Sequence, residues 1–378
     1  MKVSVLQENL AKGLSIVGRA VPTRPTMQVL GNVLLETEEG RLKLAATNLE
    51  LGITAWIGAR VEEDGAITVP ARTFIDLINQ LSPERVDLDL DVRNLTLKVH
   101  CGATNSNIKG IDSNEFPLIP QAGEAPGIAI PGAVLREMIS QTVFAAATDD
   151  NRPILTGVYT RLTSDGIVMA AADGYRLSVR TAPLEIGTPR TTELIIPART
   201  LAELGRIISD DDEEVLMSIP QGRNQVIFHL KNVDVASTLL DGKFPDYNAI
   251  IPRSFTTSTI AYTADLLRAC KRADIFARDV NNNAKVSVIP AETPSAPGIV
   301  RLSATSTERG SADAIVDATV EGDKQEISFN VRYLIDVLNV IREEQVVLQS
   351  NGPTAPGVIK PVGRDDFIHV IMPMSIGR

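Results

Sequence analysis

The sequence predicts an α+β chain made of three tandem copies of one domain, each with two helices and an antiparallel sheet. Three observations predict it. The segment Val69-Pro70-Ala71-Arg72-Thr73-Phe74-Ile75-Asp76-Leu77-Ile78 returns as Ile196-Pro197-Ala198-Arg199-Thr200-Leu201-Ala202-Glu203-Leu204-Gly205. It returns more loosely as Phe329-Asn330-Val331-Arg332-Tyr333-Leu334-Ile335-Asp336-Val337-Leu338, so the offsets are 127 and 133 residues. Other segments repeat at similar spacing. Asn9-Leu10-Ala11-Lys12 aligns with Val134-Leu135-Arg136-Glu137 and Leu266-Leu267-Arg268-Ala269, and Glu115-Phe116-Pro117 with Lys243-Phe244-Pro245. Ala45–Glu50 aligns with Ala171–Arg176 and roughly with Ala304–Arg309. Solenoid repeats run about 20–50 residues, so a period of this length means whole domains, each with its own core. The expected boundaries are 1–125, 126–253 and 254–378.

Within each copy the order reads strand, helix, several strands, helix, several strands. The repeated segment is helical by period, because Phe74, Leu77, Ile78 and Leu81 form one apolar stripe. Leu201, Leu204 and Ile208 repeat it, as do Leu334, Val337, Leu338 and Ile341. Pro70 and Pro197 suit a first helical turn, where a missing N–H costs nothing. The expected helical windows are 8–20, 71–81, 132–147, 198–209, 263–278 and 330–342. Strands are expected at Arg41–Ala46, Val86–Val92, Leu95–Val99, Leu194–Ile196 and Val226–Leu230, with turns at Glu39-Gly40, Asp64-Gly65 and Asp165-Gly166. Pro and Gly gather at Gln121–Pro126 and Ile251–Ser254, the copy boundaries. Pro290–Gly298 and Asn351–Gly363 read as insertions in hairpins.

Charge is segregated. The chain has 37 basic and 47 acidic residues, yet the six helical windows hold 12 basic against 7 acidic. Arg72 lies opposite its apolar stripe, and the repeat puts Arg199 and Arg332 at the same place. Arg268, Lys271 and Arg272 likewise oppose Leu266 and Ala273. The plain alternative is solvated helix surface, but the recurrence favours a shared cationic face. On an acidic body, such a face suits a polyanion held through sequence-independent phosphate contacts.

No catalytic constellation is present. His100, His229 and His369 lie in strand-like apolar surroundings without ligand spacing, so structural roles are expected. There is no phosphate-cradling loop, no dinucleotide fingerprint and no nucleophile elbow. Asp210-Asp211-Asp212-Glu213-Glu214 reads as a solvated turn, because successive carboxylates cannot all converge on one ion. Cys101 and Cys270 form no framework and read as small buried hydrophobes. No run reaches the ~18 apolar residues of a membrane span, and the N-terminus does not read as a signal peptide. The expectation is a cytoplasmic, non-enzymatic protein with no cofactor, no metal and no membrane partner.

Specific stretches carry a resemblance. They are Arg24-Pro25-Thr26 with Val29-Leu30-Gly31-Asn32, then Val69–Arg72, then Ala172-Asp173-Gly174-Tyr175-Arg176-Leu177. Asp241–Tyr247, Phe329-Asn330-Val331 with Tyr333, and Met372-Pro373-Met374 follow in order. Together they resemble the bacterial DNA polymerase III beta subunit family, over the whole chain. The resemblance implies the DNA-clamp fold, a ring-shaped head-to-tail homodimer with helices lining the hole. It implies a partner in double-stranded DNA, and motif-bearing partners in the polymerase III alpha subunit, the clamp loader, other polymerases and repair proteins. Candidate DNA-facing residues are Lys12, Arg24, Arg72, Arg136, Arg199, Arg268, Lys271, Arg272 and Arg332. The implied peptide pocket uses Leu155, Gly174, Tyr175, Arg176, Leu177, Pro245, Ile250, Val370, Met372, Pro373 and Met374. There Gly174 would admit a peptide backbone, Arg176 would hold peptide carbonyls or an acid, and adaptable methionines would suit varied anchors. For Leu177 and Val370 a plain core role stands beside this one. Ile275 and Phe276 are implied at the dimer contact. The sequence departs from the family pattern at Ala172, Ala249, the Asp149–Ile154 loop and the Ser375–Arg378 end. The alternative function is a peptide-binding paralogue that does not close around DNA.

Overall fold

The computed structural model describes residues 1–121, 127–149, 151–184, 191–209, 213–220, 224–293 and 296–374. Six α-helices occur among them: α1 Gln7–Val17, α2 Ala71–Gln80, α3 Gly132–Thr142, α4 Ala198–Ile207, α5 Thr263–Ala277 and α6 Val331–Val340. All six expected windows contain a helix. Three of the helices run on into 3-10 turns, at Gly18–Ala20, Val143–Ala145 and Arg278–Val280. Pro70 stands just before α2 with φ −54°, already set for a helix start. Leu81 falls just beyond α2 and is half-buried, while Phe74 and Ile78 carry that helix's fully buried stripe.

The chain forms two compact units, residues 1–135 with 203–239, and residues 136–202 with 240–378. The first unit holds a five-stranded and an eight-stranded antiparallel sheet. In the eight-stranded sheet, Leu51–Gly58 from the first repeat pairs with Val233–Thr238 from the second. The second unit holds one twelve-stranded sheet, in which Arg176–Pro183 pairs with Phe367–Ile371. Both sheets thus run across a repeat junction, and the ladder joins one repeat to the next. The span Asn351–Gly363, expected to be an insertion, contains the strand Gly357–Pro361, which pairs on both sides. Its Gly and Pro residues lie mostly at the strand ends and misled the reading.

Hydrogen bonds within the turns also correct the repeat alignment by one residue. Asn48 Oδ1 accepts the amides of Glu50 and Leu51; Asp173 Oδ1 accepts those of Tyr175 and Arg176. Ser306 Oγ does the same for Glu308 and Arg309. Asn48, Asp173 and Ser306 are therefore one position. Burial likewise aligns Leu10, Leu135 and Leu266, the first core residues inside α1, α3 and α5. Chemistry that fixes a turn outranks loose identity as a register marker.

Candidate nucleic-acid and partner surfaces

The repeated arginines occupy one structural site. Arg72, Arg199 and Arg332 are each the second residue of their helix and each is exposed. Arg332 Nε reaches Asp274 Oδ1 at 3.3 Å, which ties α6 to α5. Lys12, Arg24, Lys271 and Arg272 are exposed, and Arg268 is exposed with its guanidinium on Asp265. Arg136 is half-buried and belongs to a different helical position. In the corrected alignment Lys12 and Arg268 share a site at which α3 carries Glu137 instead. The cationic face is therefore repeated in the second helix of each copy and broken in the first.

Ile275 and Phe276, adjacent on α5, separate. Ile275 is 51% exposed, whereas Phe276 is half-buried against the third repeat's core. Counted from the helix starts, Arg19, Phe144 and Ile275 are equivalent. Arg19 Nη1 bonds Glu203 Oε2 at 3.0 Å, on α4 of the next repeat. Phe144 packs on the core cluster of the third repeat. Ile275 is not among the described residues packed on that cluster.

Two unpaired strand edges lie at positions equivalent to the strands that pair at the repeat junctions. Thr104–Lys109 is the last strand of its sheet and, among the described residues, pairs only with Thr96–Cys101. The long strand Gly310–Gly322 pairs with Gly298–Ser306 on one side, but on the other it pairs only over Ala318–Gly322. Its first eight residues thus leave one edge unmatched among the described residues.

The proposed pocket residues lie in the second unit and divide into floor and rim. Leu155, Leu177 and Val370 are buried in one cluster with Ala172, Ile195, Phe244 and Val358. Leu177 and Val370 are cross-strand partners, so their core role holds. Tyr175 is 61% exposed, and Ile250 and Met372 are also exposed apolar residues. Pro245 is exposed, and Pro373 and Met374 are half-buried. The tail is anchored by its backbone, because Met372 N–H donates to Tyr175 C=O at 2.8 Å and Met374 N–H to Ser328 C=O at 2.8 Å. Ser375–Arg378 lie outside the described residues.

Two expected roles change. Arg176 is not free to hold a peptide. Its side chain is 11% exposed, and it bonds Asp173 Oδ2 at 3.0 Å, Asp336 Oδ2 at 2.6 Å and Phe144 C=O at 2.6 Å. Its guanidinium lies over the rings of Tyr333 and Phe144, at 4.3 and 5.5 Å. With each of its three nitrogens bonded and two aromatic rings beside it, Arg176 is a bolt between the second and third repeats. Gly174 has φ +91°, and a Cβ there would clash with Arg152 Nη1. The glycine makes room for Arg152, whose Nη2 donates to Asp173 C=O at 2.8 Å, rather than for a peptide backbone. Arg152 escaped the sequence reading because its partner lies 21 residues away across a turn.

Of the histidines only His369 is buried in apolar surroundings. It bonds Ser178 Oγ at 2.6 Å and packs on Phe144. His100 and His229 reach solvent and bond Asn105 and Asp234. Cys101 and Cys270 are buried and free. Asp210–Asp212, within the acidic run, lie outside the described residues. No helix among the described residues is long and apolar enough to cross a membrane.

Sequence profiles of the DNA polymerase III beta subunit match throughout: the N-terminal domain over residues 1–120, the central over 129–246 and the C-terminal over 248–375. The chain belongs to the DNA polymerase III beta subunit family. Its function is that of a sliding clamp. The beta sliding clamp of Synechococcus elongatus is 33% identical over 379 residues, covering 100% of both chains. That of Bacillus subtilis is 31% identical, covering 99% of each. The crystal structure of the Bacillus subtilis DNA polymerase sliding clamp superposes with a TM-score of 0.92 at 30% identity, covering 100% of both chains. The DNA polymerase III subunit beta of Pseudomonas aeruginosa gives 0.90 at 28%, again over 100% of both. The three-domain clamp fold of this family accounts for the tandem repeats and the junction-spanning sheets.

Proposed function

We propose that this clamp closes as a head-to-tail homodimer around duplex DNA and tethers its partners there, without catalysis of its own, in the cytoplasm. The observation that carries the reading is the pair of open strand edges. Both internal junctions are made by a strand of one repeat pairing with the last strand of the next. The same pairing is left undone between the third repeat's Gly310–Asp317 and the first repeat's Thr104–Lys109. A second copy completes it, and two copies joined twice leave neither of these two edges unpaired. The internal junctions supply the register: Thr104 faces Asp313 of the second copy, and Ile108 faces its Arg309. Ile275 then meets α2 of the second copy, as Arg19 meets α4.

Inside such a ring, Arg72, Arg199 and Arg332 recur toward DNA with Lys12, Arg24, Arg268, Lys271 and Arg272. Each phosphate they neutralise adds about −0.9 to the salt slope. Domains bounded at 1–125, 126–253 and 254–378 fit the repeat. The rim of Tyr175, Pro245, Ile250 and Met372 over the Leu155–Leu177–Val370 floor suits the apolar anchors of short peptide motifs. Those motifs would come from the polymerase III alpha subunit, the clamp loader, and other polymerases and repair proteins. Sedimentation tests the closure: the expected native mass is near twice 40.7 kDa, and Ile275→Asp yields monomers. A wild-type protein that stays monomeric at micromolar concentration would favour the non-ring paralogue.

A further inference from the structure

The first repeat carries a cleft that the second has filled. In the second repeat Tyr159 stacks on Phe244 at 5.6 Å and meets Tyr247 at 5.8 Å, and this aromatic knot covers the sheet face. The corresponding residues of the first repeat are Leu34, Phe116 and, three places after the phenylalanine as Tyr247 is, Ile119. Two phenol rings are thus replaced by aliphatic chains. What remains is a cleft of about 900 Å³ with Leu34, Ala45, Phe116 and Ile119 along its apolar part. Leu118 stands at its lip, 99% exposed.

The polar end of the cleft is acidic. Lys43 is shared by Glu36 at 3.0 Å and Glu38 at 3.1 Å, and Glu38 also accepts the Trp56 indole N–H. Burial works against the Glu38 charge, but the bonds from Trp56 and Lys43 prevail and hold its carboxyl below the usual range. Asp112 and Glu115 are exposed beside Ser113 and Asn114, which line the cleft. Two carboxylates of the lining therefore share one lysine, and Asp112 and Glu115 add negative charge on the surface next to lining residues Ser113 and Asn114. An apolar slot missing aromatic rings, next to unbalanced negative charge, is complementary to an aromatic anchor flanked by cations.

We propose that this first-repeat cleft is a second docking site, taking a basic linear peptide by an inserted aromatic side chain. It is separate from the Tyr175–Met372 rim and does not depend on how that rim is read. The test uses the full-length protein and a labelled peptide with a central tryptophan between arginines, followed by fluorescence anisotropy. Leu34→Tyr, which restores the ring of the second repeat, and Glu36→Lys should each weaken binding at least about tenfold. Replacing the peptide's tryptophan with alanine should do the same, and Tyr175→Ala should leave affinity unchanged. Equal affinity in Leu34→Tyr, Glu36→Lys and wild type would overturn the proposal, because it would mean diffuse attraction to an acidic surface. Loss of binding in Tyr175→Ala would also overturn it, by moving the peptide to the other rim.

Discussion

The two internal junctions share a backbone and differ in chemistry. At the first, Trp56 N–H donates to Asn232 C=O at 3.0 Å; at the second, the equivalent Thr181 N–H donates to Asp366 C=O at 2.8 Å. Around that common ladder the first junction is loosely furnished. It has the Arg19–Glu203 pair and a cavity of about 480 Å³ lined in part by Lys12, Gly13, Ile57 and Lys231. The second is bolted by charge. Arg180, 5% exposed, bonds Glu137 at 3.1 Å and Asp366 at 2.6 Å. Arg364 bonds Glu137 at 3.0 Å, Glu343 at 2.6 Å and Asp366 at 2.9 Å. Arg176 adds its own three contacts. The pairing of strands sets where repeats join; side chains decide how firmly. The rim proposed for partners sits at the firm junction, where a docked peptide meets a preorganised wall.

The largest expected effect is the loss of one bolt. Arg180→Ala leaves Glu137 and Asp366 to Arg364 alone in a partly buried site and should cost about 2 kcal/mol in urea unfolding. The matched change at the first junction, Arg19→Ala, removes a solvent-screened pair and should cost less than about 1 kcal/mol. Equal losses would erase the contrast between the junctions.

Acid should act on the second junction first. Burial, helped by the nearby Arg176 charge, pushes the His369 imidazole down to about 3. The folded protein thus holds it neutral, while the unfolded chain protonates it near 6.5. Stability from this group is full above about pH 6.5 and falls toward pH 3, by about 1.4 kcal/mol per pH unit. Glu137 and Asp366 have carboxyls that burial raises but Arg364 and Arg180 bring below the ordinary range. Their contribution is lost only as pH falls through the carboxylate range, so Tm between pH 6.5 and 4.5 reports His369. His369→Asn should flatten that limb; an unchanged slope would assign it elsewhere.

How far the sequence reaches is visible in these same residues. The repeat, the helices and the buried stripes were legible, because period and identity are local signals. Leu177 and Val370 were legible as apolar but not as floor rather than rim, since both roles need the same side chain. Arg176 was misassigned because its partners Asp336 and Tyr333 belong to a different repeat. The Arg180–Glu137–Arg364 lattice carries no motif, since ion pairs that span 43 and 227 residues leave no spacing to read. The strand Gly357–Pro361 hid behind its own Gly and Pro.

A different effect separates rim from bolt. Tyr175→Ala or Met372→Ala should weaken a polymerase-derived peptide by about 2 kcal/mol and leave unfolding unchanged. Arg176→Ala should do the reverse, lowering Tm more than it lowers affinity. Deleting 372–378 should abolish peptide binding while the dimer persists. If the truncated protein is monomeric, the tail belongs to the core.

The smallest effects belong to the arginines proposed to face DNA. Arg72→Ala and Arg199→Ala should each weaken binding slightly, equally for all sequences, and reduce the salt slope by about 0.9. Arg332→Ala should change it less, because Asp274 already holds that guanidinium.

The central claim is topological and one measurement reaches it directly. The protein is loaded on nicked circular DNA, challenged with salt above the level that screens phosphate contacts, and followed before and after a single cut. The account predicts retention on the circle and rapid loss from the linear ends. Equal loss from circular and linear DNA would contradict it.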